Sequence, residues 1–145
     1  MLWKAEGEPS AAPGVIPFVT VPPLLGLQIE GSDFVLAEWA DDGESSPERP
    51  VAPLHRHLGD DEAWYVLEGT LGFVRGDERL EAPAGSAVLV PRGAAHTFWN
   101  AGPGRARYVI VMTPRIAALV AAIHEPGALE DPHALFRRFD SELLV

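Results

Sequence analysis

The chain has 145 residues, a formal net charge of −10 and no cysteine. That length supports one domain around one core, the acidity argues against nucleic acid and anionic membranes as partners, and the lack of thiols excludes disulfides and thiolate metal sites. Fourteen glycines and 14 prolines, many of them between short apolar runs, point to an all-β fold rich in turns.

In chain order, residues 1–23 are rich in proline and alanine and are expected to form an extended arm, lying along the main body or on a partner subunit. The segment Met1 to Gly14 lacks the apolar core of a signal peptide, and no run approaches transmembrane length, so a cytoplasmic location is expected. Leu27–Glu30 and Phe34–Trp39 read as the first strands, joined at Gly31-Ser32-Asp33, and Asp41 to Pro50 as a polar loop. Strands then follow at short intervals: Leu54–His57, Ala63–Leu67, Leu71–Arg75, Arg79–Ala82, Ala87–Val90, His96–Asn100 and Arg107–Met112. The links between them carry turn pairs such as Glu68-Gly69, Gly76-Asp77 and Ala84-Gly85, residues chosen by backbone geometry.

After Thr113-Pro114 the period changes. Ile116, Leu119, Val120 and Ile123 recur at helical spacing, with Thr113 as cap and Pro114 in the first turn, and Pro126-Gly127 closes the segment. A second helix is expected from about Asp131-Pro132, with Leu135, Phe136, Phe139 and Leu143 on one face. Both stripes read as packing surfaces.

Against this background stands a spaced set of metal-ligand types: His55, His57, Glu62 and His96. Two histidines two apart on a strand project from the same face. Three imidazoles and a carboxylate form a mixed N/O shell suited to one divalent first-row ion: Fe, Mn, Ni, Co, Cu or Zn. By alternation, Trp64 and Val66 share a face with Glu62, and Phe98 with His96, so these three, together with Phe73 and Tyr108, are expected to line a substrate pocket. Tyr65, Leu67, Thr97 and Trp99 then face the other way. Arg56 is read as an outward charge, Asp60 and Asp61 as solvated loop acids, His124 and His133 as surface residues, and Asn100 as a turn holder.

At these residues the chain resembles the cupin family. The first family motif stands as His55-x-His57-x4-Glu62-x6-Gly69, and the second as Gly85-x5-Pro91-x-Gly93-x2-His96-x3-Asn100. The leading glycine of the first motif is replaced by Arg49. The resemblance implies a jelly-roll, double-stranded β-helix barrel over residues 24–113, with a helical tail over 114–145 packed on it. It also implies a metal ion held by His55, His57, Glu62 and His96. The tail following Met112-Thr113-Pro114 is similar to the quercetinase-like branch, in which a C-terminal helix covers the barrel.

The activity so implied is a metal-dependent dioxygenase acting on a small enol, hydroxy-ketone or flavonol-like substrate, with Glu62 as the catalytic base. The alternatives are a non-catalytic small-ligand-binding barrel and a metal-dependent isomerase or lyase. Outward apolar residues (Leu67, Trp99, Val109 and Val111) exceed what two short helices can cover, so a homodimer is expected.

Overall fold

Alternating inward residues build two facing antiparallel sheets. In the computed structural model, which describes residues 31–145, the strands are β1 (Val35–Asp41), β2 (Ala52–His57), β3 (Glu62–Glu68), β4 (Thr70–Arg75), β5 (Glu78–Pro83), β6 (Ala87–Val90), β7 (His96–Asn100), β8 (Ala106–Met112) and β9 (Ser141–Leu143). Helices α1 (Pro114–Ile123) and α2 (Pro132–Arg138) lie between β8 and β9. The arm expected at residues 1–23 and the strand expected at Leu27–Glu30 lie outside the described residues.

One sheet has the order β1-β8-β3-β6 and the other β5-β4-β7-β2-β9. Their inner faces interdigitate in one cluster that includes Val66, Leu71, Phe73, Phe98 and Tyr108, all essentially without solvent contact. Each such side chain contributes roughly 1.5–3 kcal/mol on burial, an upper estimate for a real unfolded chain. The fold is the all-β jelly roll implied by the motifs. Among the described residues no helix is long and apolar enough to cross a membrane.

The outward residue Trp99 is nonetheless buried at 4% exposure. Its partner across β4–β7 is Gly72, where a Cβ would stand 2.4 Å from the indole, and the Arg79 guanidinium lies 5.0 Å above the ring. Glycine is required there by contact, and Trp99 is covered by this chain itself. Asn100 holds the following turn: its amide donates to the Gly104 carbonyl at 2.7 Å and to that of Asp41 at 3.1 Å, and its Oδ1 accepts from the Gly102 amide.

The helices start where capping chemistry places them. Thr113 Oγ1 accepts from the Ile116 amide at 3.2 Å, and Asp131 Oδ1 accepts from the Ala134 amide at 3.0 Å, with proline in the first turn of each. The face expected to run on to Leu143 is cut short. Phe139 caps α2, Asp140 takes a left-handed φ of 53°, and Ser141–Leu143 pairs with β2 as β9. A helical period cannot anticipate this, because the pull is the open edge of β2, whose unpaired backbone groups β9 satisfies.

Candidate metal centre

The ligand-type side chains come from three strands, and one irregularity aims two of them. Ala52 pairs with Phe98 but His55 pairs with His96, so the β2–β7 register slips by one residue at Pro53-Leu54. An inserted residue reverses the parity of a strand, and proline sits at such bulges because it has no amide to pair. Ala52 and Phe98 therefore face inward above the slip, and His55 and His57 face inward below it. Opposite them, the Gly93 amide donates to the His57 carbonyl at 2.6 Å, with Gly93 at a φ of 84° that favours glycine. That turn seats the start of β7 and delivers His96.

One ligand atom from each of His55, His57, Glu62 and His96 lies within 4.8 Å of the others, and all four residues are buried. The outer nitrogens fix which way the rings present themselves. His55 Nδ1 lies 2.6 Å from the Pro53 carbonyl and His96 Nδ1 lies 3.0 Å from that of Ala94. A carbonyl can only accept, so both Nδ1 atoms carry hydrogen and the neutral rings present an Nε2 lone pair to the interior. His57 Nδ1 meets the Ser141 hydroxyl at 2.7 Å.

Glu62 Oε2 lies 3.2 Å from His57 Nε2 and 3.3 Å from His96 Nε2. A neutral Nδ1–H ring and a carboxylate oppose lone pair to lone pair, which is repulsive unless a proton or metal ion lies between. Consistently, Glu62 Oε2 and His96 Nε2 are buried without a hydrogen-bond partner. These orphaned atoms, all of metal-ligating type, fit a divalent ion.

Charge is arranged to match. Burial works to raise the Glu62 pKa, but a hydrogen between its carboxylate and the His57 and His96 Nε2 atoms, the proton-bridged case, outweighs it and holds the carboxyl down at about 2. Burial first, then the His96 and His57 rings, push His55 down to about 3. At neutral pH the site thus offers a carboxylate and at least one neutral imidazole, the states that metal ligation needs.

Beside the ligands lies a cavity of about 40 Å³. Trp64 and Phe98 line it from the barrel, and Ile116, Leu119 and Phe136 from the helices. Phe136 also stands edge-on to His55 at 5.7 Å. Val66, Phe73 and Tyr108 lie in the packed core instead, Phe73 edge-on to Trp64 at 5.3 Å and Tyr108 edge-on to Phe98 at 5.5 Å. Burial, with Asp41 nearby, raises the Tyr108 phenol, so it stays protonated.

Among the residues read as bland, Asp60 needs correction. It is buried at 6% exposure and bonded by Arg115 Nε at 2.8 Å, because the first turn of α1 descends onto its loop. Asp61 is exposed and takes the Arg92 amide and guanidinium. Arg56 pairs with Glu142 of β9 at 2.6 Å. His124 is exposed at the end of α1, and His133 stands exposed in α2. Sequence reasoning expected the helical tail on the barrel but placed neither Ser141 nor the helix residues Ile116, Leu119 and Phe136 beside the site. Pro53 inside a strand was a readable sign of the bulge, but nothing local marks a serine 84 residues from His57.

Comparisons with known proteins agree with this fold. Residues 44–112 match the cupin domain model Cupin_2. The germin-like protein subfamily T member 2 of Arabidopsis thaliana is 30% identical over 116 residues, covering 77% of this chain and 46% of that protein, so the chain matches less than half of that relative's length. Among solved structures, a Thermus thermophilus protein superposes with a TM-score of 0.52 at 23% identity, over 71% of this chain and 87% of that one. A Klebsiella pneumoniae protein with a double-stranded β-helix domain gives 0.51 at 21% identity, over 78% and 83%. At those identities the superpositions show the fold alone. Motifs, fold and family match together place the chain in the cupin superfamily.

Proposed function

We propose that the protein is a metal-dependent oxygenase of a small, mainly apolar enol or hydroxy-ketone, with one divalent transition-metal ion held by His55, His57, Glu62 and His96. The observation that carries this reading is the meeting of orphaned ligand atoms on Glu62 and His96 with a cavity walled by apolar side chains. A bound ion supplies Lewis acidity toward a chelating hydroxyl and, with a redox-active metal, a route for electrons to O2.

The chain's own residues do the rest. The imidazoles would hold the ion without adding charge, and Glu62 would offset one of its two positive charges. Glu62, ionised at neutral pH, is the group placed to accept the proton of an acidified substrate hydroxyl. The Trp64 indole N–H is buried without a partner, which suits it to donate to a substrate oxygen. Helices α1 and α2 keep bulk water from the ligands.

Charge and size narrow the substrate. No lysine or arginine lines the cavity among the described residues, so a phosphate or a second carboxylate would be buried unpaired. A cavity of about 40 Å³ favours the small end of the enol series over flavonols. A flavonol requires displacement of α1 and α2.

The test is oxygen consumption by chelator-stripped protein reloaded with Fe(II), Mn(II), Co(II), Ni(II) or Cu(II), presented with β-diketones, enediols and flavonols. Uptake stoichiometric with substrate loss supports the oxygenase. Rearranged product without uptake assigns an isomerase or lyase, and tight anaerobic binding without turnover assigns a ligand-binding barrel.

We also propose a homodimer in the cytoplasm. Leu36, Val111, Ala63 and Leu89 form a row across the outer face of β1, β8, β3 and β6, beside Tyr65 at 46% exposure. Light scattering that finds only 15.6 kDa at micromolar concentration overturns the dimer.

A further inference from the structure

We infer that Ser141 is a positioning residue of the metal centre, and that through its bond to His57 the docking of the chain's last strand and the binding of metal are linked. The inference rests on the metal reading above and concerns what holds one ligand in place.

The Ser141 hydroxyl is buried at 1% exposure. Its single hydrogen goes to the Phe139 carbonyl at 3.1 Å, so toward His57 Nδ1, at 2.7 Å, the oxygen is left as acceptor. His57 then carries hydrogen on Nδ1 and presents an Nε2 lone pair to the site. The reverse arrangement, with the hydroxyl donating to Nδ1, would forfeit the Phe139 bond and turn an Nε2–H toward Glu62 Oε2 at 3.2 Å, which satisfies the carboxylate but takes that nitrogen out of the ligand set.

The three histidines differ in what anchors them. His55 and His96 are held by carbonyls two residues upstream in their own segments, contacts that persist whatever the tail does. His57 alone is anchored across 84 residues. Its anchor is in place only when β9 is seated on β2. There His57 pairs with Ser141, the Leu58 amide donates to the Asp140 carbonyl at 2.9 Å, and the Leu144 amide donates to that of Leu54 at 2.9 Å. Coupling of this kind is reciprocal: a seated strand favours the ligating form of His57, and an ion on His57 favours the seated strand.

The experiment uses the full chain and Co(II) alone. Visible-band titration gives affinity for the wild type, Ser141→Ala and Ser141→Thr; amide exchange at residues 141–144 is followed with and without Co(II). Nitrogen-15 spectra report whether His57 Nδ1 bears hydrogen in the metal-free wild type. The expected result is a loss of about 10–100-fold in affinity for Ser141→Ala, recovered by Ser141→Thr. Co(II) slows exchange of the tail in the wild type and not in Ser141→Ala.

Equal affinity in the wild type and Ser141→Ala, with metal-independent exchange, overturns the linkage. So does a bare His57 Nδ1 in the wild type, a reading that needs no variant to fold. A wild type that takes up no Co(II) overturns the metal reading together with the linkage, and is distinct from the case in which both proteins bind alike.

Discussion

His55 and His96 are anchored by carbonyls of their own segments, two residues upstream, whereas His57 and the apolar wall beside the ligands depend on residues of the C-terminal tail. The first arrangement is local and survives as long as the barrel does. The second is assembled from long-range contacts: α1 and α2 pack on each other through Leu119, Leu135 and Phe136, in a small cluster separate from the main core. A satellite cluster opens at lower cost than a core, so under the metal reading His55 and His96 are held by the barrel alone, while His57 and the apolar cover are open to motion of the tail.

The largest expected effect tests the barrel half. His96→Ala removes a proposed ligand that is 1% exposed and leaves Glu62 facing only His57 and His55. Metal affinity should fall by more than about 100-fold, as removal of a direct ligand costs more than removal of its outer support. Elemental analysis of protein purified without chelator or His-tag checks it, with far-UV circular dichroism as the control for folding. Stoichiometric metal in the variant would break the four-ligand reading.

Phe136→Ala tests the other half. The ring is 4% exposed and packs edge-on to His55, so the substitution should cost about 3–5 kcal/mol in urea unfolding. Affinity for Co(II) should fall far less than in His96→Ala, and bulky chelators should gain access. An equal loss of metal in both variants would erase the contrast between ligand set and cover.

Acid sharpens the contrast for the ligands alone. In the metal-free protein His55 stays neutral down to about 3, while the unfolded chain takes up that proton near 6.5. Unfolding therefore gains a proton across that window, and stability falls as pH drops from 6.5 toward 3. Glu62 adds the same sign lower down, since its carboxyl protonates near 4.5 when unfolded and at about 2 when folded. The slope from His55 should approach about 1.4 kcal/mol per pH unit below 6.5. Urea melts of chelated protein at a series of pH values check it, and a flat profile would mean that the imidazole is not held neutral.

The same division explains what is legible in the sequence. His55, His57, Glu62 and His96 could be read together because the spacing of the two motifs carries them, with strand alternation putting His55 and His57 on one face, and the caps at Thr113 and Asp131 are local. The Pro53-Leu54 bulge was half-legible, since the proline was visible but the parity change needs the partner strand. Ser141 and the seating of β9 were not legible. A serine in a tripeptide strand carries no period, and the open edge of β2 that recruits it exists only in the folded sheet. Asp60 went astray for the same reason, because its partner Arg115 is 55 residues away.

The smallest effect concerns the join between the halves. Arg115, in the first turn of α1, bonds Asp60 at 2.8 Å and lies 3.4 Å from Asp140, so one guanidinium ties the helix to the loop before Glu62 and to the residue before β9. Its side chain is 44% exposed, and solvent screening limits the pair to about 1 kcal/mol or less. Arg115→Gln should lower stability by about that amount, with the difference from wild type shrinking at high salt, and should speed amide exchange in α1 and β9. If Co(II) affinity is unchanged while exchange rises modestly, the cover loosens without disturbing the metal site, and the coupling runs through the Ser141–His57 bond rather than through this ion pair. If affinity falls as it does in Ser141→Ala, the ion pair holds β9 in register as well. The link between tail and metal would then run through the seating of the whole strand rather than through a single hydroxyl.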